Sequence, residues 1–153
     1  MTKKDWLETA AYLVAIVGGI SAAVVYFQGV RKESISVTRK EIVRTWTNEG
    51  DISSKETRYI TLELENKDGE LIGSLSTNTR KKSLDVHAQV GWFSTELTFF
   101  DLQGRNVVSV ASAKVSLEGN NNRMEWSLSE NATGEDLPQQ TVLWPHAAGD
   151  LPK

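Results

Sequence analysis

The hydrophobic residues of this chain follow two patterns, a continuous run near the N-terminus and short alternating segments after it. Residues 9–30 form an uncharged and mostly apolar stretch of 22 residues. A helix of that length, at ~1.5 Å per residue, is about 33 Å long and can cross the ~30 Å hydrocarbon layer of a bilayer. Trp6 lies near one end and Tyr26 and Phe27 near the other, as is typical of the headgroup level. The pattern predicts one transmembrane helix within residues 1–30.

The same segment has one alternative interpretation, a cleaved signal peptide. Ser21, Ala22 and Ala23 are small residues of the kind found at a cleavage site. The apolar run continues beyond them to Phe27, however, and the leader KKDWLE mixes acidic with basic residues. A membrane anchor is therefore the favoured interpretation.

Basic residues are more numerous after this helix than before it. Lys3 and Lys4 precede it, and a larger group follows it, namely Arg31, Lys32, Arg39, Lys40 and Arg44. Positive flanks mark the cytoplasmic side of a membrane helix. We therefore expect a single-pass membrane protein with its C-terminal domain in the cytoplasm, and the opposite orientation is the alternative.

Small residues recur at every fourth position of the predicted helix, at Ala11, Ala15, Gly19 and Ala23. Helices in lipid associate where small side chains let their backbones approach closely. The spacing predicts a helix–helix contact on this stripe and a homo-oligomer. The alternative is that Ala and Gly are simply common in membrane helices.

After a short connector at residues 31–34, the hydrophobic pattern has a period of two, typical of strands. Residues 59–65 alternate cleanly, and Asn66 to Gly69 form an Asp-Gly hairpin turn. About eight such strands, separated by turn signals, fill residues 35–146. Sequential hairpins favour a mostly β fold, a small antiparallel β-barrel, because closure removes exposed edges. A β-sandwich is the alternative, and residues 147–153 are expected to form a flexible tail.

The composition excludes several kinds of function. The chain has 17 basic and 20 acidic residues, a formal charge of −3, whereas duplex nucleic-acid binding needs a basic excess. It has no cysteine and only two histidines, His87 and His146. Neither histidine stands in a metal-ligand or catalytic pattern. The sequence therefore predicts a protein that is not an enzyme, with no catalytic residues, no metal and no cofactor.

Cations combined with aromatic rings suggest a ligand site on the β domain. Arg44 and Trp46 share one face of the predicted first strand, Arg58 precedes the next strand, and Lys114 interrupts a later one. Such pairs suit nucleobases and phosphates through stacking and charge-assisted hydrogen bonds. We therefore take these four residues as the candidate ligand-binding residues. In the alternative interpretation, strand lysines point to water and the tryptophans of the β domain fill the core or the barrel ends. These tryptophans are Trp46, Trp92, Trp126 and Trp144.

A small-residue anchor joined directly to a small β-barrel resembles the transmembrane β-barrel effectors of bacterial cyclic-nucleotide anti-phage signalling (CBASS). The layout is also similar to that of the short membrane effectors of type III CRISPR systems. The β-barrel effectors typically carry two membrane helices, whereas one is predicted here. The resemblance implies a non-enzymatic effector of the bacterial inner membrane. Its cytoplasmic domain would bind a cyclic nucleotide and assemble, and its clustered helices would disrupt the lipid bilayer.

The predicted barrel is also similar to the lipocalin type. Thr45, Trp46 and Thr47 resemble the start of a lipocalin first strand, although Arg44 stands where that family has glycine. This resemblance implies the alternative of a single-pass module that binds a small molecule or a peptide. A further alternative is an accessory subunit of a membrane complex.

Overall fold

The structure is a computed structural model that describes residues 3–49, 55–120 and 122–146, with the helix side chains described from residue 19 onward. It contains one helix followed by strands. The elements are α1 (Lys3–Ile42), β1 (Thr45–Thr47), β2 (Ile60–Lys67), β3 (Glu70–Thr77), β4 (Leu84–Val90), β5 (Thr95–Gln103), β6 (Asn106–Glu118), β7 (Arg123–Asn131) and β8 (Gln140–Pro145). The predicted tail, residues 147–153, lies outside the described residues.

The strands form a closed barrel in which each strand pairs antiparallel with the next, and β1 pairs with β8. The mostly β fold and the barrel are confirmed, and the sandwich alternative is wrong. The predicted Asp-Gly turn joins β2 to β3, where Asp68 and Gly69 have φ angles of 52° and 86°. Two positive φ values are what a tight two-residue hairpin turn requires.

The helix continues well past the end of the predicted membrane span. The predicted connector at residues 31–34 and the predicted strand from Ile35 are wrong, because α1 extends without a break to Ile42. Arg, Lys and Glu are frequent in this stretch and are strong helix formers. Arg39 and Lys40 also lie in the last turn, where positive charge complements the helix dipole. Among the described residues, no helix is both long enough and apolar enough to cross a membrane.

The chain divides into two compact units, residues 1–36 and residues 37–153. The last turns of α1 therefore belong to the barrel unit. Ile42 is 1% exposed and joins the barrel core, and the carbonyl of Ile42 accepts a hydrogen bond of 3.0 Å from the indole Nε1 of Trp46. We call this end of the barrel the helix end. Since neighbouring strands are antiparallel, the turns that follow β2, β4 and β6 also lie there.

The interior of the barrel is filled with side chains. The largest fully buried ones include Trp46, Trp126 and Phe99, and the rings of Phe99 and Trp126 stack with centroids 5.5 Å apart. The indole Nε1 of Trp126 donates a 2.9 Å hydrogen bond to the carbonyl of Pro138. Both buried indole N–H groups are therefore satisfied, as stability in an apolar interior requires.

The opposite end, which we call the far end, is closed by ion pairs and loops. Arg80, which precedes β4, donates hydrogen bonds of 2.6 Å to Glu135 and 2.5 Å to Asp101. The hydrogen bond to Glu135 is the largest cause of the raised pKa of Arg80. Leu137, in the loop before β8, is 2% exposed and completes the core at this end.

Candidate functional site

An eight-stranded barrel is either just filled by its own side chains or holds one small ligand. This barrel is of the filled kind, because its core contains two buried tryptophans and a phenylalanine among its aliphatic side chains. Binding must therefore use the outer surface or the ends. Open grooves of 370 to 600 Å³ lie among the described residues, within the ordinary size range of small-molecule sites.

The structure brings two of the predicted ligand residues together. The guanidinium of Arg44 lies over the ring of Trp46, 5.4 Å from its centroid. Trp46 has no exposed surface, so its ring offers no face for stacking a base. Arg44 is about one third exposed and forms a 2.8 Å ion pair with Glu41. It lines a groove of about 600 Å³ together with Glu63 and Asp85, but its guanidinium is already paired with Glu41 and placed over the buried Trp46 ring.

Arg58 lies at the far end and holds a loop in place. Its Nε and Nη2 donate hydrogen bonds of 2.7 Å each to the two carboxylate oxygens of Glu56, and its Nη1 donates one of 3.1 Å to the carbonyl of Leu137. The hydrogen bond from Arg58 is the main reason that the pKa of Glu56 falls to about 2. These contacts occupy the guanidinium in structural interactions.

Lys114 is exposed on β6, where it lies opposite Glu96 of β5. It lines a separate groove of about 410 Å³ with Glu125, Ser127 and Gln140. The four predicted ligand residues therefore divide among a groove at Arg44, the far end and a groove at Lys114. They do not form one site.

A third groove contains a cation that the sequence reasoning did not select. Arg39, near the end of α1, lines a groove of about 370 Å³ with polar side chains of β4 and β5, among them His87, Gln89, Glu96 and Thr98. The Nε of Arg39 is buried and has no hydrogen-bond partner among the described residues. The signal in the sequence was the run of helix-forming residues before Ile42. In the structure this run belongs to α1, which therefore includes Arg39.

The tryptophans divide between the core and the surface. Trp46 and Trp126 fill the core, as the alternative interpretation predicted. Trp92 and Trp144 are 42% and 43% exposed. Trp92 lies in the turn between β4 and β5 and stacks on Phe93, with ring centroids 5.5 Å apart and 4° between the ring planes.

The small-residue stripe is described in part. Gly19 and Ala23 are exposed on α1, and a Cβ added at Gly19 would have no atom within 4 Å. This surface is open to another helix. The side chains of Ala11 and Ala15 lie outside the described residues.

No group of three or more histidine and acidic residues among the described ones could hold a metal ion. Comparisons with known proteins give no match: no protein-family model, no curated protein and no solved structure matches the chain.

Proposed function

We propose that the protein is a membrane-anchored, non-enzymatic effector of the bacterial inner membrane that acts by association of its helices. The sequence of Thr9–Val30 supports the anchor, because 22 consecutive uncharged and mostly apolar residues match the thickness of a bilayer. About half of this segment precedes the side chains that the structure describes. The basic residues that follow the segment support a cytoplasmic barrel.

The filled interior is the observation that favours an effector over a lipocalin-like carrier. With Trp46, Trp126 and Phe99 inside the barrel, a carrier would have to displace several core side chains to admit a ligand. Each large side chain removed from a core costs about 3–5 kcal/mol. An effector that acts through its membrane helix, in contrast, needs no ligand cavity inside the barrel.

The stripe of small residues supports association. Gly19→Leu introduces no clash within the described chain, because Gly19 has open space around it. We therefore expect this substitution to act through contacts with a neighbouring molecule. Gly29→Leu is a matched control, since Gly29 lies in the same uncharged segment, has equally open space and is off the stripe.

The experiment compares both variants with the wild-type protein in bacteria. We expect Gly19→Leu to lower the fraction of cross-linked oligomer in the membrane and to abolish toxicity on expression, whereas Gly29→Leu should change neither. Barrel folding is checked in both variants by the fluorescence of the buried tryptophans. Unchanged oligomers and unchanged killing with Gly19→Leu would refute the association step.

We propose a cyclic nucleotide as the trigger, bound in the groove at Arg39. The buried Arg39 Nε, which has no hydrogen-bond partner among the described residues, suits a phosphate. The carboxylates of Glu70 and Glu96 and the amide of Gln89 line the same groove and suit the amino groups of a base. The position of Arg39 near the helix end also supports this proposal, because a ligand there would contact both α1 and the barrel.

Native mass spectrometry of the full chain in detergent, with a panel of cyclic di- and trinucleotides, tests this trigger. We expect one nucleotide to bind and Arg39→Gln to weaken its binding at least about tenfold, as loss of a charge-assisted hydrogen bond of ~1.5–3 kcal/mol implies. Arg105→Gln, which changes an exposed cation at the far end, should leave binding unchanged. Binding to none of the panel, or equal binding by Arg39→Gln, would contradict the proposed site.

A further inference from the structure

The turn between β4 and β5 presents an exposed aromatic pair. Phe93 is 86% exposed and Trp92 is 42% exposed, and the two rings are nearly parallel. The turn is tight: the Gly91 amide donates a 2.9 Å hydrogen bond to the carbonyl of Ser94. A Cβ at Gly91 would lie 2.8 Å from that oxygen. The two rings are therefore held in contact with water on a tight turn.

This turn lies at the helix end of the barrel. Thr38 of α1 lines one small groove together with Trp92 and Phe93. Thr38 follows Val30, the last residue of the proposed span, by eight positions, a rise of ~12 Å along a helix. The headgroup layer extends ~5–7 Å beyond the hydrocarbon on each side. Only a short segment of sequence therefore separates the proposed span from the residue that shares this groove with the aromatic pair.

The size and composition of the tip favour lipid over a second protein surface. Phe and Trp bury about 150–250 Å² each, so the exposed part of this pair is at most roughly 300 Å², while a stable protein interface needs ~800 Å² per partner. Residues 91–94 carry no charge, whereas the neighbouring turn at the helix end contains Lys67, Asp68 and Glu70. Aromatic rings enter the membrane interface without needing a matching partner surface.

We propose that the Trp92–Phe93 turn inserts into the headgroup region of the membrane that holds α1 and so fixes the helix end of the barrel against the bilayer. This inference rests on the proposed anchor. On this proposal, Trp92 and Phe93 are a membrane-contacting pair on the barrel.

The chain has no cysteine, so single cysteines can carry an environment-sensitive fluorophore without any other change. Phe93→Cys places the label on the tip. Leu102→Cys is the matched control, because Leu102 is 64% exposed and lies near the far end of β5. Val25→Cys, in the proposed span, reports on the anchor. The full chain is reconstituted into vesicles of phosphatidylcholine and phosphatidylglycerol that contain spin-labelled lipid as the quencher.

We expect the lipid quencher to act strongly on the labels at positions 25 and 93 and about threefold less on the label at position 102, which stays in water beyond the interfacial layer. Quenching at 25 with equal, weak quenching at 93 and 102 would overturn the inference while the anchor stands. No quenching at 25 would overturn the anchor and this inference with it. A label at 93 that is shielded from aqueous iodide but not reached by the lipid quencher would indicate a protein contact and would also overturn the inference.

Discussion

Replacing Gly73 with alanine should force β2 and β3 apart and destabilise the barrel. Gly73 lies in the middle of β3 and is paired with Leu64 of β2 and Val86 of β4. A Cβ at this position would lie 1.8 Å from the backbone oxygen of Glu63 and 3.1 Å from the Cα of Leu64. The neighbouring strand can approach this closely only because residue 73 has no side chain.

The loss of stability can be worked from the distance between the new Cβ and the Glu63 oxygen. Normal contact between the new methyl group and the oxygen requires the strands to separate by roughly 1.5 Å, and N–H···O bonds of ~2.9 Å do not survive that stretch. Loss of the two ladder bonds beside Gly73 costs about 1 kcal/mol each, and the overpacking adds about 1–3 kcal/mol. The free energy of unfolding should therefore fall by about 3–5 kcal/mol, a large part of the ~5–15 kcal/mol of a typical domain.

The assay is urea unfolding of the full chain in mild detergent, followed by tryptophan fluorescence. With a slope of ~1–3 kcal/mol per molar urea, the midpoint should fall by about 1–5 M. Ser76→Ala, at an exposed position of the same strand, is the control and should unfold like the wild type. A Gly73→Ala midpoint within about 0.3 M of the wild-type value would refute the argument that β2 and β3 depend on glycine for their close approach.

Two further predictions concern the ends of the barrel. Trp46→Phe removes the donor to the Ile42 carbonyl and should lower the free energy of unfolding by about 1–3 kcal/mol, measured by the same urea titration. A loss below about 0.5 kcal/mol would show that this hydrogen bond does not hold the end of α1. Glu56→Gln should destabilise the protein at pH 7, because Arg58 holds the pKa of Glu56 at about 2 in the folded protein, against an ordinary value of 4.5. Ionised Glu56 thus stabilises the fold above pH 4.5, and this contribution disappears as the pH falls through 2. The difference between variant and wild type should therefore shrink from pH 7 to pH 2, and a constant difference in denaturant titrations across that range would contradict the assignment.

The strands were predictable because each one carries its own local signal. Residues 60–65 alternate between the buried and the exposed face of the sheet, and the Asp-Gly turn marks where β2 reverses into β3. The end of the helix was not predictable in the same way. Ile35 and Val37 alternate with polar residues, so this short stretch fits a strand. The helix continues to Ile42, whose side chain packs in the barrel core, and that contact joins parts of the protein that the local pattern does not show.

The candidate site shows the same limit. Arg44, Arg58 and Lys114 have similar sequence surroundings, each near an aromatic residue or within an apolar strand. Their roles differ because Arg44 stacks on a buried ring, Arg58 binds Glu56 and a loop carbonyl, and Lys114 faces water. Which cations share a groove depends on the order of strands around the barrel, and that order joins residues far apart in the chain.

The amino-acid sequence by itself determined the apolar N-terminal segment, the period-two strands and the positions of the turns, since these depend on interactions between residues close together in the chain. Only the tertiary structure decided that Ile42, the last residue of α1, packs in the barrel core, that two tryptophans fill the interior, and that Trp92 and Phe93 are left on the surface. The physical reason is that closing β1 onto β8 encloses a limited volume. Once Trp46, Trp126 and Phe99 occupy that volume, the remaining large aromatic side chains must lie outside it.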